Sequence, residues 1–167
     1  IMNKDIGYNF RCDICWYKHQ VVGRATAWGS YQSCSNPIVR RNHEYILVWN
    51  KGPWRLDPPE KGVKSDLTAE EFQQWTMSYW PISPETQNRG NHEVPFPVRL
   101  ARPVIKLYSY PGDTVLDPFV GSGTTAYAAS MLNRHYIGID NDAETVRYAR
   151  DRIDANVDLF AGMGAEI

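Results

Sequence analysis

The stretch Asp117 to Ala129, "DPFVGSGTTAYAA", constrains this chain more than any other. Gly121 and Gly123 sit where a short strand-like run, "TVLDPF", meets Thr124 to Leu132, a run of small residues and alanine that reads as a tightly packed helix. Missing side chains at such a junction let the chain turn sharply or let backbone N–H groups approach a ligand. "HYIGID" then predicts a second buried strand, and Ala143 to Ile153 an amphipathic helix with Val146, Ala149 and Ile153 on one stripe. Strand, helix, strand, helix predicts an α/β fold with a parallel sheet and right-handed crossovers.

Composition narrows the class. At 167 residues, with 43% hydrophobic and 22% charged residues and a net charge of -1, the chain suits one globular domain and excludes a disordered tail or a strongly basic nucleic-acid binder. No apolar run approaches the about 18 residues needed to cross a bilayer, and "IMNKDIGYNFRCD" lacks signal-peptide character, so no membrane partner and a cytoplasmic location are expected. Ile1 stands directly before Met2 and a strand-like run follows closely, so the chain is expected to begin partway through a longer protein. Cys12, Cys15 and Cys34 read as reduced thiols. "CDIC" has metal-ligand spacing, but residues three apart on a strand point to opposite faces, so no metal site is expected.

Upstream, Asn9 to Lys18 and Glu44 to Asn50 ("EYILVWN") predict sheet strands, with a long excursion between them. From Gly52 to Gly90 the pattern becomes irregular. Only "DLTAEEFQQW" carries a start signal: Thr68 and Glu71 can form a capping box, with Phe72 and Trp75 on one face. The basic residues Arg40, Arg41, Lys51, Arg55, Lys61 and Lys64 cluster in sequence here, interleaved with Trp49 and Trp54, and fit either a solvated loop face or DNA contact. Pro97 to Tyr108 has helical spacing, with Pro103 expected to kink or restart the helix.

Asp140 ends the second strand about 20 residues after the glycine turn, where an acid can accept hydrogen bonds from both ribose hydroxyls of a nucleoside. "GSGTTA" also satisfies the G-x-G-x-x-A fingerprint of a dinucleotide site, so an NAD(P)-dependent enzyme is an alternative. Asp117 discriminates between them. It closes the strand before Pro118 and Phe119, placing a carboxylate where it repels phosphate and welcomes an ammonium. A cationic, phosphate-free nucleoside such as S-adenosylmethionine (AdoMet) fits better, with its amino group at Asp117, its ribose at Asp140 and its adenine among Phe119 and apolar neighbours. The competing reading of Asp117 is a turn or capping carboxylate.

From "NHEVPFPVRLARP" through "DPFVGSGTT" to "RHYIGID", roughly the last 75 residues closely resemble the AdoMet-binding end of the DNA amino-methyltransferases, which methylate adenine at N6 or cytosine at N4. "CWYKH" and "RRNHEYILVWNKG" are similar to later sheet strands of that family. The resemblance implies a Rossmann-like AdoMet-dependent methyltransferase fold, a parallel-rich sheet flanked by helices with an irregular insertion. It also implies a permuted order: residues 1–51 as strands of the catalytic half, 52–90 as a target-recognition insertion and 91–157 as the AdoMet-binding part. It assigns Asn91, His92, Phe96 and Pro97 to the pocket border, and Asp117, Phe119, Gly121, Ser122, Gly123, Thr124 and Thr125 to the main loop. Asp140 takes the ribose, with Asn141 beside the adenine. The partner implied is double-stranded DNA, and enzymes of this family can pair into homodimers. The family's catalytic signature, Asp, Asn or Ser followed by Pro-Pro and an aromatic residue, is not found: "DPPE" at Asp57 to Glu60 ends in a residue that cannot stack on a base. A truncated methyltransferase is therefore expected, with a non-catalytic DNA-binding subunit as a further alternative.

Overall fold

The computed structural model describes residues 7–18, 29–39, 41–84 and 96–161. The chain divides into two compact units, one of Ile1–Trp54 with Thr76–Ser83, the other of Arg55–Trp75 with Pro84–Ile167.

The first unit is built on a three-stranded sheet of order β2-β1-β3. β1 (Tyr8–Tyr17) pairs antiparallel with β2 (His43–Lys51), with a register shift between Phe10 and Cys12. β3 (Tyr79–Pro81) runs parallel to β1, aligning Trp16 with Trp80. The two long strands, β1 and β2, lie within a residue or so of their expected limits. β3 escaped the sequence reading because three residues ending in proline carry no measurable alternation. Alternation along β1 buries Ile14 and Trp16, which with Trp80 form this unit's core. Each buried indole N–H is satisfied: Trp16 Nε1 donates to the Ile82 carbonyl at 2.7 Å, and Trp80 Nε1 to the Met77 carbonyl at 2.8 Å.

In the second unit, α1 (Ala69–Trp75) begins with the expected capping box. The Glu71 N–H donates to Thr68 Oγ1 at 3.1 Å, and Glu71 Oε2 accepts the Thr68 N–H at 3.2 Å. α2 (Val98–Tyr108) is a single helix, and the expected restart at Pro103 does not occur. Proline removes one backbone bond at a cost of about 3 kcal/mol, and burial of Pro103 itself with Leu100, Ala101 and Ile105 offsets it. β4 (Thr114–Asp117) and β5 (His135–Gly138) pair in parallel, aligning Leu116 with Ile137 and Asp117 with Gly138. α3 (Thr124–Met131) joins them, and α4 (Ala143–Ala161) follows β5.

Alanine lets these helices approach closely. Ala128 and Ala129 pack with Ala101, Ile105 and Val115, while Val120, Ala126 and Ile153 form a second cluster. Burying a side chain the size of Ile105 or Ile153 contributes about 1.5–3 kcal/mol. The expectation that "HYIGID" is a buried strand is corrected: every residue of β5 is exposed. Helices cover the Val115 face of this pair, leaving Leu116 at 58% and Ile137 at 52% exposed on the other. A parallel sheet normally has both faces covered, and a single pair of strands with helices on one side does not.

Buried ion pairs fasten the 55–75 segment to the rest of this unit. The Arg134 side chain is fully buried and donates to both Asp66 carboxylate oxygens, at 2.6 and 2.8 Å. Its remaining N–H groups reach the carbonyls of Leu132 (2.6 Å) and Ser109 (2.8 Å) and Ser109 Oγ (3.2 Å). Burial pushes the Asp66 carboxyl pKa up, but the Arg134 hydrogen bond and charge pull it further down, below its ordinary 3.8. Glu71 behaves alike: burial raises its pKa, while its bonds to Lys106, the Thr68 amide and Arg102 leave it below 4.5. Among the described residues, no helix is long and apolar enough to cross a membrane.

Candidate functional site

β4 ends on Asp117, and the chain turns through 118–123 into α3. The two strands remain tied beyond their paired residues. The Ile139 N–H donates to the Asp117 carbonyl at 2.9 Å, and the Val120 N–H to the Ile139 carbonyl at 2.8 Å. This brings Val120 over Gly138, where an added Cβ would stand 2.7 Å from Val120 Cγ2, so a larger residue would have to displace Val120. Gly121 and Gly123 both adopt positive φ, 48° and 81°. Gly121 faces open space, with its nearest neighbour 3.9 Å from a hypothetical Cβ. Gly123 does not: its Cβ would meet Ala149 Cβ on α4 at 3.0 Å. One glycine thus serves the turn, and the other serves both the turn and helix packing.

The two acids grip the loop backbone. Asp117 Oδ1 accepts the Phe119 N–H at 3.0 Å, the turn-carboxylate contact that the sequence left open. Asp140 Oδ2 accepts the Gly121 N–H at 3.0 Å, and Oδ1 the Asp142 N–H at 3.1 Å. A carboxylate has about four acceptor positions, so each acid retains capacity for a ligand. Asp142 caps α4, accepting the Thr145 Oγ1 hydrogen at 2.6 Å and the amides of Glu144 and Thr145 at 3.2 Å each. Asn141 between them is exposed.

The other loop residues divide between inside and outside. Phe119 is 86% exposed, whereas Ser122 and Thr124 are buried with their hydroxyls toward Arg152 of α4. Thr125 is half-buried. Pro97 is fully buried at the N-cap of α2, with its carbonyl accepting the Leu100 N–H at 2.8 Å, and Phe96 is exposed beside it. Asn91, His92 and Arg40 lie outside the described residues. The remaining basic residues fall in different units: Arg41 and Lys51 in the first, Arg55, Lys61 and Lys64 in the second. Arg55 forms an exposed ion pair with Asp57 at 3.4 Å, and the Lys51 ammonium stands 5.9 Å from the Tyr8 ring centre.

Sequence reasoning missed Gly138, Asp142, Arg134 and Arg152. Asp142 was findable, since an acid three residues before Thr145 at a helix start is a capping signal. The others depend on packing between distant segments and leave no local mark.

The chain matches the family model N6_N4_Mtase, described as DNA methylase, over residues 1–151. It is 32% identical over 142 residues to Type II methyltransferase M.BglI of Bacillus subtilis, covering 83% of this chain and 38% of that one. To Type II methyltransferase M.HpaI of Haemophilus parainfluenzae it is 31% identical, covering 96% of this chain and 50% of the relative. A solved structure of TTHA0409 from Thermus thermophilus, assigned as a DNA modification methylase and complexed with S-adenosyl-L-methionine, superposes with a TM-score of 0.70 at 30% identity, covering 90% of this chain and 55% of that one. The chain thus spans about half the length or less of the curated relatives it matches. With a mixed α/β fold and a family match over nearly its whole length, the chain belongs to the N6_N4_Mtase family of DNA methylases.

Proposed function

We propose that this chain forms the AdoMet-holding part of a DNA methyltransferase acting on an exocyclic amine, N6 of adenine or N4 of cytosine. The observation that carries the reading is the capture of loop amides by carboxylates: Asp117 holds the Phe119 N–H and Asp140 the Gly121 N–H. In a pyrophosphate site those amides face phosphate oxygens. Here an anion would meet two carboxylates, whereas a ligand with an ammonium and two ribose hydroxyls finds acceptors at both. The exposed Phe119 ring offers an apolar surface for a base. The AdoMet complex of the Thermus relative lends further support.

When bound, AdoMet would supply the electrophilic methyl of a sulfonium, with the carbon–sulfur bond breaking as the amine nitrogen takes the methyl and the amine's surplus proton passing to solvent. The task of this chain is to bind and orient. Asp117 would neutralise the donor's ammonium, Asp140 would hold its ribose hydroxyls, and Asn141 and Phe96 would line the pocket. Gly121, Ser122, Gly123, Thr124 and Thr125 supply the loop. Holding the donor fixed converts a bimolecular encounter into a positioned one, the main source of rate in such a transfer. Arg41, Lys51, Arg55, Lys61 and Lys64 contact DNA phosphates, so binding falls steeply with salt.

Calorimetry tests this directly. AdoMet is expected to bind at micromolar or tighter concentrations. Asp140→Ala weakens binding about 10- to 100-fold, as for loss of charge-assisted hydrogen bonds, while Asp140→Asn, which still offers an oxygen to Gly121, is milder. No heat with AdoMet, together with enhanced fluorescence of added NADH, would reject the reading in favour of a dinucleotide.

A further inference from the structure

We infer that Arg152 is a positioning residue for the glycine loop, and that Ser122 and Thr124 act as its anchors rather than as ligand contacts. The inference rests on the AdoMet reading above and assigns a role to a residue outside the loop motif. Arg152 Nη1 donates to the Ser122 carbonyl at 2.8 Å and reaches Thr124 Oγ1 at 3.2 Å and Ser122 Oγ at 3.4 Å. Ser122 and Thr124 are only 5% and 3% exposed, so their hydroxyls are spent inside the protein. The guanidinium lies 5.6 Å from the Tyr127 ring centre, against the first turns of α3. One turn earlier on α4, Ala149 fills the space beneath Gly123.

Four consecutive loop residues are therefore fixed from behind: Gly121 by Asp140, Ser122 by Arg152, Gly123 by Ala149 and Thr124 by Arg152. Two glycines at positive φ, 48° and 81°, lose more conformational freedom on ordering than any other residue would. All three contacts come from Nη1, whose two hydrogens can serve the Ser122 carbonyl and the Thr124 hydroxyl at once, and the planar guanidinium fixes their direction where an ammonium on a flexible stem would not. By ordering the loop before AdoMet arrives, Arg152 removes a cost that binding would otherwise carry. Ordering one or two backbone residues corresponds to about a tenfold change in affinity.

The test compares wild type with Arg152→Met, Arg152→Lys and the pair Ser122→Ala/Thr124→Val by AdoMet calorimetry, and by hydrogen exchange of the residue 121–125 amides without ligand. Arg152→Met is expected to raise the AdoMet Kd about tenfold and to speed loop exchange while α2 amides keep their protection. Arg152→Lys should recover part of both effects. Adding Arg152→Met to the Ser122/Thr124 pair should cost further, because the Arg152 bond to the Ser122 carbonyl survives in that pair, but less than the two changes summed, because the hydroxyl bonds are already gone. Unchanged loop exchange and affinity in Arg152→Met would overturn the inference. If that variant does not fold, Arg152→Gln takes its place, and unchanged loop exchange and affinity in it would overturn the inference equally. Wild-type protein that binds no AdoMet would instead remove the cofactor reading, leaving loop exchange to judge the clamp separately.

Discussion

A single heavy atom separates Gly138 from alanine, and that atom would have to displace Val120. An alanine Cβ would approach Val120 Cγ2 to 2.7 Å, and Val120 is buried against Ala126 and Ile153. Gly138→Ala is expected to lower stability by about 1–3 kcal/mol, the usual cost of overpacking, read as a reduced urea midpoint. Val120→Ala in that background should recover part of the loss. The acids Asp117 and Asp140 and the two loop glycines were legible in sequence because a strand-turn-helix leaves a strict local pattern. The inward turn of Ser122 and Thr124 was not, because a hydroxyl beside a glycine fits ligand and helix equally well until α4 is in place.

Among the elements, α1 shows best how local and distant forces combine. Its capping box was readable from Thr68 and Glu71, and Thr68→Ala is expected to cost about 1 kcal/mol in thermal or urea denaturation. The same Glu71 carboxylate also pairs with Lys106 and Arg102 of α2, the latter at 3.0 Å, which no local pattern announces. The neighbouring Asp66–Arg134 pair goes further. Asp66→Ala strands a fully buried guanidinium and should cost about 2–3 kcal/mol, less than the about 3–5 kcal/mol of a fully buried pair, since Asp66 keeps a third of its side chain in water. Denaturation of Asp66→Ala beside Asp66→Asn, which retains one acceptor, separates charge from hydrogen bonding. The strands β1, β2, β4 and β5 followed from short apolar or β-favouring runs, α2 and α4 from helical spacing, α1 from its capping box and α3 from its run of small residues. β3 was too short to show one, and Pro103 was overruled by the burial of its neighbours.

For the molecule as a whole, these acids set a pH response with a defined sign. Asp66 and Glu71 have pKa values below their ordinary 3.8 and 4.5, so the folded state binds fewer protons than the unfolded one. Their contribution is present in full above those ordinary values and is lost as pH falls through the lower folded ones. Melting temperature should therefore drop between about pH 5 and pH 3 more steeply in wild type than in Asp66→Asn/Glu71→Gln. Equal slopes would remove these two residues as the cause. The exposure of β5 was beyond sequence reading, since a run such as "HYIGID" says that its side chains are apolar and not what covers them.

The outward Phe119 ring has a practical meaning for redesign. It is 86% exposed, while Ser122, Thr124 and the glycines around it are committed to α4 and to Asp140. Under the proposed AdoMet reading, variation introduced at Phe119 would change the wall offered to the donor, while the frame behind it keeps its bonds to α4 and Asp140. A library aimed at bulkier donor analogues should start at that position and leave the next five residues untouched.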